Sequence, residues 1–211
     1  MNIINKKIEK YLESQLENRD SIFKELEQYS EKIDFPAVGP QVGQLLYQYT
    51  KLIRPKRILE LGSGFGYSAL WFAKGADDNC EIICTDFSQE NADLAQKIFE
   101  KANVKNKIKF IVGDALEILS ELEGEFDIIF NDVDKEEYPE TFKASIRRLS
   151  KGGILITDNT LWYGYVAEKE IIEKDEATKG ILEYNKLAFS DPEIISVILP
   201  IRDGITISLK T

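Results

Sequence analysis

The sequence predicts an α/β fold in which a mostly parallel sheet carries helices on both faces and closes with a C-terminal antiparallel hairpin. Three observations carry this. From Arg57 to Thr157, short apolar runs alternate with helical patterns, the arrangement of a parallel sheet covered on both sides. The first run, Ile58-Leu-Glu-Leu-Gly-Ser-Gly-Phe-Gly-Tyr-Ser68, leads into a glycine-rich turn of the kind that opens many nucleotide-binding α/β folds. Two final apolar runs, Ile194–Leu199 and Ile205–Leu209, flank Pro-Ile-Arg-Asp-Gly, a hairpin turn signal.

In chain order, residues 3–17 and 20–33 carry apolar side chains at helical spacing (Ile3, Ile4, Ile8, Leu12, Leu16; Ile22, Phe23, Leu26, Tyr29, Ile33). Pro36 and Pro40 interrupt that pattern, and a third helix is expected over 41–53. These helices form an N-terminal extension, 1–55, ahead of a core at 56–211. Strands are expected at Arg57–Leu61, Glu81–Asp86, Lys107–Val112, Phe126–Asn131 and Ile154–Thr157. Helices are expected at 67–74, 88–102, 114–121 and 139–150, with one long helix over 168–190.

The chain has 211 residues, 43% of them hydrophobic, enough for one compact domain with a substantial core. Its net charge of −10 is a poor match to a long nucleic-acid backbone, although a local basic face would be compatible with it. No apolar run approaches the ~20 residues that span a bilayer. The start, Met1-Asn-Ile-Ile-Asn-Lys-Lys, lacks a signal peptide's apolar core. A cytoplasmic protein is expected. Cys80 and Cys84 sit at the start of and within one expected strand, with Cα atoms ~13 Å apart, too far for a disulfide. There is no histidine, which removes histidine triads, histidine-bound zinc and histidine bases. Acid–base work falls to Asp, Glu, Lys, Tyr or Cys.

In the glycine loop, the dinucleotide fingerprint requires a third glycine where this chain has the bulky Tyr67. The loop is therefore read as holding a nucleoside without a phosphate chain, and S-adenosylmethionine (SAM) fits. In open α/β sheets ligands bind beyond the carboxyl ends of the strands, so the polar residues there are the candidates. Asp86, in Thr85-Asp86-Phe87, is placed to accept both hydroxyls of a ribose, or to cap the next helix, for which Ser88 is also available. Asp114 would accept from an adenine amino group, cap helix 114–121, or do both. Strand four ends in Asn131-Asp-Val-Asp-Lys135 and strand five in Asp158-Asn159. Three carboxylates and an amide gathered there repel one another unless a cation sits among them. Oxygen ligands without histidine or cysteine select Mg²⁺ or a similar ion. Lys135 beside that ion would be disposed to accept a proton and is the best general base.

Glu60-Leu-Gly-Ser-Gly-Phe-Gly-Tyr-Ser68, Gly113-Asp-Ala115, Asp132-Val-Asp-Lys-Glu-Glu-Tyr138 and Gly152-Gly-Ile-Leu-Ile-Thr-Asp-Asn159 together resemble the cation-dependent O-methyltransferases, the group containing catechol and caffeoyl-CoA O-methyltransferases. The resemblance runs from about Val38 to Asp203-Gly204. It implies a Rossmann-like class I methyltransferase fold with a seven-stranded sheet. It also implies roles. Asp132, Asp158 and Asn159 match metal ligands for Mg²⁺, or for Mn²⁺ or Ca²⁺. Lys135 matches the catalytic lysine. Asp86 matches the ribose acid, Gly62 and Ser68 the surroundings of the methionine portion, and Asp114 and Ala115 the adenine pocket. Val38, Glu60, Phe87 and Asp132 are counted with the SAM site, and Asp134 lies near metal and SAM. Trp162 and Tyr163 match the loop flanking the acceptor, where they either stack on a flat ring or simply pack. Asn131 replaces a usual aliphatic residue and Val133 a common alanine. The expected activity is SAM- and cation-dependent methylation of a vicinal-dihydroxy aromatic such as a catechol or hydroxycinnamoyl compound, by a homodimer. The alternatives are a tRNA hydroxyuridine O-methyltransferase and a non-catalytic SAM-binding protein.

Overall fold

In the computed structural model, which describes residues 3–16 and 19–211, one seven-stranded sheet runs in the order β3-β2-β1-β4-β5-β7-β6. The strands are β1 (Arg57–Leu61), β2 (Glu81–Asp86), β3 (Ile108–Val112), β4 (Phe126–Asn131), β5 (Leu149–Thr157), β6 (Ile194–Leu199) and β7 (Ile205–Lys210). The first five pair in parallel, and β7 runs antiparallel to both β5 and β6. The hairpin therefore does not simply append to the sheet. Its second strand inserts against β5, and β6 forms the edge.

Helices α1 (Lys6–Ser14), α2 (Ser21–Lys32) and α3 (Gly39–Ile53) precede the sheet. Then come α4 (Tyr67–Gly75), α5 (Gln89–Lys101), α6 (Ala115–Glu121), α7 (Tyr138–Arg148), α8 (Lys169–Ile172) and α9 (Glu176–Ser190). The central strands are apolar on both sides because both faces are covered there. Ile58, Ile82, Ile128 and Ile156 face a core built with α2 to α5. Leu59, Ile83, Ile129 and Leu155 face a second core with α6, α7 and α9. Ile22, Phe23, Val42 and Leu46 of the N-terminal helices are buried in the first core, and Phe23 stacks on Trp71 with ring centroids 3.8 Å apart.

Several sequence expectations change in detail. Ile3 and Ile4 precede α1, whose N-cap is Asn5 accepting from Lys7 N at 2.9 Å; the expected end of that helix at residue 17 lies outside the described residues. Pro40 does not interrupt a helix but sits in the first turn of α3, where its missing N–H costs nothing. The expected helix over 168–190 is two. Asp175 leaves the helical conformation, and its side chain accepts from Thr178 N to start α9. The helix expected at 139–150 ends at Arg148, because Leu149 is already extended and begins β5. Cys80 and Cys84 are both buried free thiols. Among the described residues no helix is long and apolar enough to cross a membrane.

Candidate active site

The strand order reverses direction between β1 and β4, and at that switch point the carboxyl ends of neighbouring strands diverge into a crevice. The main cleft, about 600 Å³, lies there. Its volume is in the range of small-molecule sites. Gly62, Ser68, Asp86, Phe87, Ala115 and Val38 line one side. Asp132, Asp134, Lys135, Asn159, Trp162 and Tyr163 line the other.

The two sides meet at Gly62. Its φ is +81°, and a Cβ there would lie 2.3 Å from the carbonyl oxygen of Asp132. Only glycine permits both the left-handed turn and this approach. Asp132 N in turn donates to Leu61 O at 2.9 Å. Asp86 braces the loop. One carboxylate oxygen accepts from Gly64 N at 2.9 Å, while the other accepts from Ser88 N at 2.9 Å and Asn91 Nδ2 at 3.0 Å. The cap of α5 is Ser88, accepting from Asn91 N, so Asp86 stands on the cleft wall without that duty.

Two expected cofactor residues sit differently. Asp114 is not on the cleft wall; it caps α6 by accepting from Glu117 N at 2.7 Å. Glu60 alternates to the inward side of β1 and is fully buried beneath the glycine loop rather than lining the cleft. Neither of its oxygens makes a hydrogen bond of good geometry. Burial drives its pKa up to about 7, against the opposing pull of Ser68, Ser63 and Cys84, with Asp132 adding to the rise. An acid with a raised folded pKa binds its proton more tightly folded than unfolded. Stability is therefore lost as pH rises from about 4.5 to about 7. Glu60→Gln removes that slope. The ligand-free variant should gain on wild type across this window, by roughly 3 kcal/mol at the plateau, and denaturant melts at several pH values check it. A stability difference that is flat with pH would show that Glu60 does not titrate there.

On the other side, Lys135 opens a short 3-10 helix, Lys135–Glu137, at the end of β4. Its Nζ donates to Asp132 Oδ1 at 2.9 Å and to Val133 O at 3.1 Å. It also lies 5.0 Å from the Tyr138 ring centre and 5.8 Å from that of Trp162. Beneath it, Gly180 of α9 approaches so closely that a Cβ would lie 2.3 Å from Lys135 O; the helix serves as a floor for the lysine.

Asp158 is almost completely buried. Its Oδ1 accepts from Asn159 N at 2.8 Å, and Tyr138 Oη donates to its carbonyl at 2.9 Å. Burial first, then the neighbouring Asp132, pushes the Asp158 carboxyl well above the carboxylate range, while Arg202 opposes this. Asp132 is also raised by burial, with Lys135 opposing. Asn159, in the left-handed region at φ 56°, donates from Nδ2 to both oxygens of Asp203 at 3.0 Å. That leaves its amide oxygen on the branch facing away from Asp203.

Among the described residues no three acidic, histidine or cysteine side chains converge to hold a metal ion. The set available is two carboxylates and one amide, with the exposed Asp134 outside it. The donor types, two carboxylates and an amide oxygen, fit a hard cation; Asp132 and Asn159 line the cleft, whereas Asp158 does not.

Trp162 and Tyr163 follow in a strained turn at φ 42° and 53°, conformations that cost bulky residues energy and concentrate at functional sites. Trp162 Nε1 donates to Asp175 Oδ2 at 3.3 Å. The two rings lie 5.1 Å apart, and Tyr163 is largely exposed.

The sequence reading gave no role to Phe35, Arg202 or Asp203, which also line the cleft. Pro200–Gly204 carries a turn signal, and nothing local in it marks a side chain returning to a distant strand end.

A family model described as O-methyltransferase matches residues 13–211. The chain belongs to the O-methyltransferase family. This methyltransferase is 37% identical over 174 residues to caffeoyl-CoA O-methyltransferase 1 of Eucalyptus globulus, covering 78% of the chain and 71% of that protein. It is 37% identical over 175 residues to caffeoyl-CoA O-methyltransferase 1 of Arabidopsis thaliana, covering 78% and 68%. An O-methyltransferase from Bacillus cereus, solved with S-adenosylhomocysteine, superposes with a TM-score of 0.87 at 26% identity, covering 97% of each chain. The Streptomyces achromogenes O-methyltransferase involved in tomaymycin synthesis, solved with SAM, gives a TM-score of 0.84 at 25% identity, covering 97% and 96%.

Proposed function

We propose that this methyltransferase transfers the methyl group of SAM, with a divalent cation, to one hydroxyl of a vicinal-dihydroxy aromatic such as a catechol-like or hydroxycinnamoyl compound. The observation that carries the reading is the meeting of Asp132, Lys135 and Asn159 in one cleft with an aromatic wall at Trp162 and Tyr163. The named relatives, caffeoyl-CoA enzymes by name, support the acceptor class and lend the tRNA alternative no support.

The glycine loop, Asp86 and Ala115 hold the SAM nucleoside, and the loop's contact with Asp132 sets the methyl group against the acceptor side. Asp132, Asp158 and the Asn159 amide oxygen would hold Mg²⁺, Mn²⁺ or Ca²⁺, and such an ion would supply Lewis-acid polarisation of the acceptor hydroxyl. Lys135 Nζ takes the proton from the acceptor hydroxyl. The acceptor oxygen forms the new O–C bond as the sulfonium C–S bond breaks in line, and the sulfur leaves as a neutral thioether. Trp162 and Tyr163 stack on the acceptor ring and limit its tilt. Homodimerisation is part of the reading. Ile195 and Val197 of the edge strand are exposed apolar side chains available to it, and light scattering checks it.

The expected result is transfer from SAM to catechols or caffeoyl conjugates that needs Mg²⁺ or Mn²⁺ and stops with EDTA. Undermodified tRNA is carried in parallel. EDTA-resistant transfer would remove the cation, transfer to tRNA alone would move the acceptor class, and SAM binding without any transfer would favour a non-catalytic protein.

A further inference from the structure

Arg202 is held at a cost. It adopts φ 54°, a region that penalises any residue with a Cβ. Its stem passes Gly39, close enough that a Cβ on that glycine would lie 3.7 Å from Cδ and 3.8 Å from Nε. Gly39 is the first residue of α3, so the guanidinium is carried past the positive end of a helix dipole, the wrong end for a cation. What offsets these costs is Asp158. Arg202 Nη1 lies 3.7 Å from Asp158 Oδ2, with the carboxylate side chain only 2% exposed. That distance is an ion pair but too long for a hydrogen bond. Nη1 is buried and makes no hydrogen bond to any described residue. The guanidinium thus compensates charge without being locked into place, and the turn that carries it also carries Asp203, which orients Asn159.

We propose that Arg202 is a resident counter-charge of the acid pair, which a divalent cation must displace from Asp158, so that Arg202 sets the affinity of the site for metal. The inference rests on the cation reading above. A divalent ion on Asp158 would lie close to the Arg202 guanidinium and be repelled by it. Metal entry therefore requires the guanidinium to move off Asp158.

Mn²⁺ titration calorimetry tests this, without SAM or acceptor, on wild type, Arg202→Gly and Arg202→Lys, with Asp158→Asn locating the heat. Circular dichroism melts confirm that each variant is folded. Arg202→Gly relieves the backbone strain and removes the charge, and should bind Mn²⁺ roughly tenfold tighter or better. Arg202→Lys keeps the charge and should stay near wild type. Equal or weaker binding in Arg202→Gly, with wild type binding at the Asp158 site, overturns the inference and leaves the cation reading standing. Binding in Arg202→Gly alone supports it in its strongest form. No binding in either removes the cation reading, and the inference falls with it.

Discussion

Replacing Lys135 with alanine should lower kcat by roughly 10²- to 10⁴-fold, the usual contribution of a positioned proton acceptor, while SAM affinity stays within a few-fold of wild type. The lysine lies on the acceptor side of the cleft, and its two hydrogen bonds run to Asp132 and Val133. Its loss therefore leaves the glycine loop and Asp86 untouched. Alanine also strips Asp132 of its partner, so the ion pair and the base must be separated. Lys135→Arg does the separating. Arginine keeps a positive charge beside Asp132 but does not give up a proton at ordinary pH. If Lys135 is the base, the arginine variant should be nearly as slow as alanine, read as single-turnover methyl transfer with SAM binding measured by calorimetry. Recovery of most of the rate with arginine would assign Lys135 to charge balance alone, and near-normal turnover in the alanine variant would remove it from the mechanism.

The second large effect is expected from Gly62→Ala, a single methyl group. At φ +81° a Cβ is strained by roughly 1 kcal/mol or more. The greater cost is geometric, because that Cβ would lie 2.3 Å from Asp132 O. The loop cannot recede freely, since Gly62 and Ser63 N both donate to Thr85 O, at 3.2 and 2.8 Å. Either the donor loop or the Asp132 segment must move. A displacement near 1 Å between reacting groups costs on the order of 100-fold in rate. Gly62→Ala should therefore lose SAM affinity and turnover together, where Lys135→Ala loses turnover alone. Unchanged kcat with bound SAM would show that the two walls are not coupled through this contact.

The strand positions were legible because burial on both faces writes continuous apolar runs into the sequence, and β1, β2, β4 and β6 begin and end as read. The glycine loop, Asp86, Asp132, Lys135 and Asn159 were legible as candidates because a parallel sheet sends all such strand ends to one edge, and the cleft brings them together. What escaped depended on side-chain direction or on distant partners. Glu60 reads as a loop-proximal acid, yet the strand's alternation turns it under the loop. For Asp114 the cap of helix α6, one of the two roles its position offered, is the one seen. Asp175 hides in a charged stretch, Glu173-Lys-Asp-Glu176, that resembles a solvated helical face, so the break between α8 and α9 left no apolar signature. Arg202 and Asp203 reach the strand ends of β5 only because β7 lies between β5 and β6, a neighbourhood no local pattern encodes.

That same strand order divides the labour of the molecule. The residues proposed for the methyl donor hang from β1, β2 and β3, while those proposed for the acceptor hang from β4, β5 and the β6–β7 turn, and Gly62 against Asp132 is the seam where they touch. A lineage or a designer can therefore remodel the acceptor half, exchanging the Trp162 turn or residue 202 for new chemistry, and inherit an unaltered donor half, provided the seam keeps its glycine.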